Sequence, residues 1–408
     1  MTADTSSVTR RGIIRAAGTA TVTAGLLAPF RAMGGVAWAA ATPKTYKKWV
    51  LAKPVEGNKV VAANFRMEEL PIPALQPGES LIQVKLVNVH ASTRNRMSGG
   101  STKLGDTDKT NYGCAEILQT RDPVFKEGDI IACQAGWQTH QVLRSEDESI
   151  GYGKANELVK ELNRTKSHWC YVFRPVMVKM HTPSVLMDVF GTSGTTAYFG
   201  MRECGPITTK DKVAVAGTTG SVGALAAQIA KAAGAYVVGF GGGADRAKWV
   251  TDTLGIDKAL DYRAKDLDAQ LKAAFPNGID LYSDGVGGEL TEAIAKHMNP
   301  NSRFFSYGTS ASVYDDTPAA GGQQAGRMFG MTDSVAKIIK DKNIKLEAWI
   351  VHIHYQDRIE CENNLSRLLV TNRIKPITTV VQGIENVPKG VMSQYDTNPY
   401  GKLQLQFA

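Results

Sequence analysis

Val213-Ala214-Val215-Ala216-Gly217-Thr218-Thr219-Gly220-Ser221-Val222-Gly223 is an apolar run that breaks into glycines and then resumes with helical spacing. The run predicts a strand, Lys212 to Ala216. The spacing beyond the glycines predicts a helix, Ser221 to Ala233, with Val222, Leu225, Ala226, Ile229 and Ala233 on one face. Glycines at such a junction permit a tight turn and let the backbone approach a pyrophosphate, which then sits on the positive end of the helix. A glycine triplet alone says little. Between a strand and an amphipathic helix, inside a strand–helix–strand unit, it specifies a dinucleotide-binding turn. Thr218 takes the place of the first glycine of the strict G-x-G-x-x-G pattern. Gly217, Gly220, Ser221, Val222 and Gly223 are the candidate phosphate contacts.

The next strand, Tyr236 to Phe240, runs into Gly241-Gly242-Gly243-Ala244-Asp245-Arg246-Ala247-Lys248. An acidic residue at this strand end would bind the ribose 2′-hydroxyl of NAD. Glycines stand there instead, leaving room for a 2′-phosphate that Arg246 or Lys248 can hold through charge-assisted hydrogen bonds. Asp245, at a helix start, suits the helix dipole. NADP(H) is therefore the expected cofactor. Downstream, a helix from Ala244 to Thr253 precedes strands Lys258 to Tyr262, Ile279 to Ser283 and Arg303 to Tyr307, the alternation of a doubly wound parallel Rossmann sheet.

The flanking text differs. Tyr46 to Leu51, Glu79 to Val89 and Ile130 to Ala132 read as strands, with the turn Gln76-Pro77-Gly78 and little helical periodicity before about residue 145. From about Lys375 the tail returns to strand-like text. The expected fold is α/β, with a nucleotide domain at 186–351 inserted into a β-barrel-like domain made of 42–185 plus 352–408. A chain of 408 residues has room for both. Its 43% hydrophobic and 21% charged residues are ordinary globular values. The net charge of +8 is spread without a Lys/Arg block, which argues against a nucleic-acid partner. Cys114, Cys133, Cys170, Cys204 and Cys361 form no C-x-x-C, so neither a zinc lobe nor a thioredoxin motif is present, and buried reduced thiols are expected.

Residues 1–41 read as a leader. Thr9-Arg10-Arg11-Gly12-Ile13-Ile14-Arg15 precedes a mildly apolar stretch, Ala16 to Phe30, too short for a membrane span of roughly 20 apolar residues. Ala37-Trp38-Ala39 and Ala39-Ala40-Ala41 offer small-x-small cleavage sites. This resembles a twin-arginine signal, which predicts export of folded, cofactor-loaded protein by the twin-arginine machinery to the periplasm or beyond, with no stable membrane insertion afterwards.

The glycine-rich turn joins other motifs: Lys48-Trp49-Val50-Leu51-Ala52, Arg94-Asn95-Arg96-Met97, Thr196-Ala197-Tyr198-Phe199-Gly200, Gly383-Ile384-Glu385-Asn386-Val387-Pro388 and Gly401-Lys402. Together they resemble the zinc-free, NADP-dependent alkenal/enone reductase branch of the medium-chain dehydrogenase/reductase superfamily, the branch of the prostaglandin and curcumin reductases, from about Lys47 to the C-terminus. The resemblance implies a GroES-like catalytic domain wrapped around the Rossmann domain, and a homodimer. It implies 2′-phosphate contacts at Arg246 and Tyr262, and nicotinamide-side contacts along Gly308 to Tyr314 and at Trp349, Ile350 and Val351. Tyr314, ending that loop, would hydrogen-bond the substrate carbonyl or donate a proton. Three departures cluster at the active site. His90-Ala91-Ser92 replaces the branch's Asp-Pro-Tyr, Gly285 replaces an asparagine after the fourth strand, and Pro399 replaces one near the C-terminus, with Asn398 one place off. His90 becomes a candidate acid or carbonyl-binding group, and Ser92 and Arg94 are candidate substrate contacts.

Zinc-dependent relatives carry Gly-His-Glu where this chain has Gly113-Cys114-Ala115-Glu116. Without a Lewis acid, alcohol oxidation is poorly supported. Reduction of an α,β-unsaturated carbonyl asks for less: hydride adds to the β-carbon, and the enolate needs only hydrogen-bond donors. The expected activity is metal-independent, NADPH-dependent reduction of an activated C=C bond in a small-molecule substrate. A zinc-free quinone reductase and an exported Rossmann-fold binding protein without turnover stand as alternatives.

Overall fold

The computed structural model describes residues 43–57, 59–147, 170–308, 331–349 and 351–408. The leader, Tyr314 and Ile350 lie outside them. The first half of the chain supplies β1 (Thr45–Leu51), β2 (Phe65–Pro71), β3 (Ser80–Asn88), β4 (Tyr112–Thr120), β5 (Ile130–Gln134), β6 (His140–Leu143) and β7 (Tyr171–Val172). The second supplies β8 (Lys212–Val215), β9 (Tyr236–Gly241), β10 (Lys258–Asp261), β11 (Ile279–Asp284), β12 (Met298–Ser306) and β13 (Lys345–Ala348), and the tail adds β14 (Thr378–Gln382) and β15 (Lys402–Gln406).

Strands β8 to β13 form one parallel sheet in the order β10-β9-β8-β11-β12-β13. In Rossmann numbering this is 3-2-1-4-5-6, and the order reverses beside β8, where such sheets open a ligand crevice. Strand β8 is buried along almost its whole length, so it carries an unbroken apolar run rather than an alternating one.

The second sheet runs β14-β15-β3-β4-β5-β7, with β6 also paired to β3. Its central strand β3 is nearly all buried because both faces are covered. Ile82, Val84 and Val87 belong to one apolar cluster with Trp137 and Leu405. Leu86 turns to the other side, into a cluster with Phe199, Val213 and Leu225 of the nucleotide half. That shared cluster ties the halves together, as does the amide of Gly401, which donates to Thr219 O at 2.7 Å.

Two expectations need correction. The tail is not purely strand-like: between β14 and β15 lies a helix, Val387–Asp396, with Pro388 in its first turn and Val387, Gly390 and Val391 buried. Its i, i+4 valines pack over β15, where a Cβ on Gly390 would meet Leu405 at 2.3 Å. The helix after β8 is also buried more widely than on one face. Ala224, Ala226, Ala227 and Ala230 are all covered, because Thr192–Glu203 packs on the side away from the sheet, whereas Ala233 lies past the helix end and is exposed.

Candidate active site

The helix Ser221–Ala232 starts at Gly220, directly after the β8 turn. Gly217 has φ of 68°, a backbone that side chains resist. A Cβ on Gly223 would stand 2.3 Å from Gly217 O, so the helix reaches the turn only because that position is glycine. Gly217, Gly220, Ser221, Val222 and Gly223 line a cleft of about 210 Å³. The other half contributes Val89 and Ala91 from the end of β3, and Asn398, Pro399, Gly401, Lys402 and Leu403 from the tail. Unpaired helix amides and a glycine-lined floor fit a diphosphate.

Asp261, the last residue of β10, accepts on Oδ1 from the amides of Gly243 (2.7 Å) and Arg263 (2.9 Å), which shapes the glycine turn after β9. Tyr262 stands over Gly242, where a Cβ would meet its hydroxyl at 2.6 Å. Arg246 lies across Tyr400, 4.7 Å from the ring centre, and its Nη2 donates to Thr397 O (3.0 Å) and Asn398 O (2.5 Å). Its Nη1 is buried with no partner. A buried cationic donor without an acceptor is costly, and a 2′-phosphate is the kind of acceptor it lacks. Lys248 instead pairs with Asp252 at 2.7 Å on the exposed side of its helix.

Residues 221–334 match the zinc-binding dehydrogenase family, and residues 47–149 match the family described as the N-terminal domain of oxidoreductase. The chain belongs to the medium-chain dehydrogenase/reductase superfamily. It is 27% identical to the NADPH-dependent curcumin reductase of Escherichia coli (strain K12), across 89% of this chain and 97% of that one. It is 26% identical to prostaglandin reductase 1 of Bos taurus, across 87% and 97%. The crystal structure of CurA in complex with NADPH from Vibrio vulnificus shares the fold, with a TM-score of 0.70 and 24% identity over 89% of this chain and 99% of that chain. The dehydrogenase family's name mentions zinc. Among the described residues, no three His, Cys, Asp or Glu side chains come together.

Within this superfamily frame the other expected site residues fall unevenly. His90 lies two residues beyond β3, between the cleft-lining Val89 and Ala91, with its Nε2 buried and unpartnered. Burial pushes its imidazole well below the ordinary value, and Lys402 and Arg96 act in the same direction, so it stands neutral. Ser92 is exposed and accepts from Arg96 Nη1 at 2.6 Å. Arg94 is buried against Tyr395, 5.2 Å from the ring centre, and is not part of the described cleft lining. Trp349 packs on Phe305 and His354 and donates to Glu347 at 3.1 Å, while Val351 is core; neither lines the cleft. Gly308 sits against the backbone of Gly285.

Three residues were not singled out by the sequence. Tyr307 lines the cleft with its ring over Gly285, where a Cβ would come within 2.3 Å of the ring. The Tyr307 ring thus fills the space over Gly285. Asp188, fully buried at the end of the helix Pro183–Asp188, accepts the Ser221 hydroxyl on Oδ1 and has its Oδ2 buried and unpartnered. Burial raises its carboxyl to about 6, with the Ser221 hydrogen bond and Lys402 pulling the other way. Lys402 is 7% exposed, and burial lowers its amine to about 8. The only signal for any of these was Gly401-Lys402, which the resemblance included without giving it a role.

Proposed function

We propose that this chain is an NADPH-dependent, zinc-independent reductase of an activated C=C bond in an α,β-unsaturated ketone or aldehyde. The observation that carries the reading is the cleft between the two halves. There the glycine turn Gly217–Gly223 faces Val89 and Ala91, and the described lining offers hydroxyls, amides and one amine but no thiol, imidazole or carboxylate. The identity of about a quarter with the curcumin and prostaglandin reductases, over nearly the full length of each, supports the same chemistry here.

Bound NADPH supplies a hydride. The turn and the N-terminus of Ser221–Ala232 hold the diphosphate, and Arg246 Nη1 with the Tyr262 hydroxyl takes the 2′-phosphate. What remains is to stabilise charge growing on the substrate oxygen, a task for preoriented donors. Tyr314 is assigned that task. His90, neutral and beside rather than in the described lining, is the second candidate donor. Tyr314→Phe should lower kcat on an enone by about 10²–10³ with an unchanged NADPH dissociation constant. If kcat survives within a few-fold, Tyr314 is structural and His90→Ala is the next variant to measure. We further propose export through the twin-arginine route, supported by Arg10-Arg11 and the Ala-rich run behind them, and a homodimer, supported only by the superfamily resemblance.

A further inference from the structure

Lys402 is the one charged side chain among the described residues that line the cleft. Its backbone amide donates to Ile377 O, and the preceding Gly401 is fastened to Thr219 O, so its position follows the phosphate turn. Its amine forms no hydrogen bond or ion pair among the described residues. The opposite charge acting on it is Asp188, whose carboxylate accepts the Ser221 hydroxyl on Oδ1 and is also drawn on by the Ile377 backbone. Lys402 therefore lines a crevice suited to a doubly charged diphosphate without an ion pair of its own, with the buried carboxylate of Asp188 acting on it through space. We propose that Lys402 is a nucleotide-binding residue whose ammonium closes on the cofactor's diphosphate. This rests on the dinucleotide reading of the cleft.

Binding must then be linked to protons. The groups facing Lys402 are Asp188 from the helix Pro183–Asp188, Arg96 from the helix Thr93–Ser98 and His90 from two residues beyond β3. In the empty cleft the amine titrates at about 8, so at pH 8.5 most of it is neutral. A diphosphate stabilises the charged form, and the complex takes up a proton on Nζ. His90 and Asp188 titrate too far below this pH to contribute, and the 2′-phosphate, with a pKa near 6, is fully ionised throughout.

The test is calorimetric titration of the full-length protein with NADPH at pH 8.5, in two buffers of different ionisation enthalpy. Wild type should take up roughly three-quarters of a proton per site. Lys402→Arg, whose guanidinium cannot deprotonate, should bind within a few-fold of wild type with no uptake. Lys402→Met should bind about 10–100-fold more weakly, the scale of a hydrogen bond to a charged group. Uptake that persists in Lys402→Arg, or Lys402→Met binding within two-fold, overturns the assignment. The arginine variant keeps the charge and the fold, so the test stands even if the methionine variant misfolds. Absence of NADPH binding in wild type would instead overturn the dinucleotide reading itself.

Discussion

On the proposed reading, cofactor choice turns on Arg246. Nη2 is committed to the carbonyls of Thr397 and Asn398, while Nη1 waits without an acceptor. Arg246→Ala should weaken NADPH by about 1.5–3 kcal/mol, the worth of a hydrogen bond to a charged group. The same change frees the tail loop from the nucleotide domain, so NADH should lose affinity too, but by less. Dissociation constants for both nucleotides, measured by quenching of protein fluorescence, decide it; equal losses would remove Arg246 from the 2′-phosphate site. The glycines around Arg246 were legible in the sequence because a missing acidic residue leaves a visible gap. The carbonyls that orient the guanidinium were not, since they sit some 150 residues away in sequence.

Elements were legible where a single period ruled. Strands β8 to β11 and the helix after β8 stand within a residue or two of their expected bounds, because buried parallel strands and sheet-packed helices carry long apolar signatures. The helix Val387–Asp396 escaped notice because its buried face is narrow and it lies between two strands. Tyr307 escaped for a related reason: it follows β12 and does its work only by lying over Gly285 after β11. That contact predicts that putting the branch's asparagine back would harm the protein. Gly285→Asn should cost about 1–3 kcal/mol of stability through overpacking against the Tyr307 ring. Combined with Tyr307→Ala, the loss should be smaller than the sum of the single losses, as chemical denaturation of the four proteins in the cycle would show. Strict additivity would mean that ring and backbone do not meet.

At the scale of the whole molecule, the tail closes the design: β15 completes the sheet begun by β3, and the residue before it is bonded to the phosphate turn. The described cleft is therefore built from both halves. The proposed leader is a separate device. Changing Arg10 and Arg11 together to Lys should retain the protein in the cytoplasm, read by fractionation; undiminished export would refute the twin-arginine route. A chelator should leave turnover unchanged, and activity that falls and returns with zinc would contradict a metal-independent mechanism. The central claim is that hydride reaches the β-carbon of an enone. It is tested most directly by supplying NADPH dideuterated at nicotinamide C4 with an α,β-unsaturated ketone and locating the label by NMR. The account predicts a saturated ketone with one deuterium on the β-carbon and the carbonyl intact; deuterium on the carbonyl carbon, or consumption of NADPH with quinones alone, would contradict it.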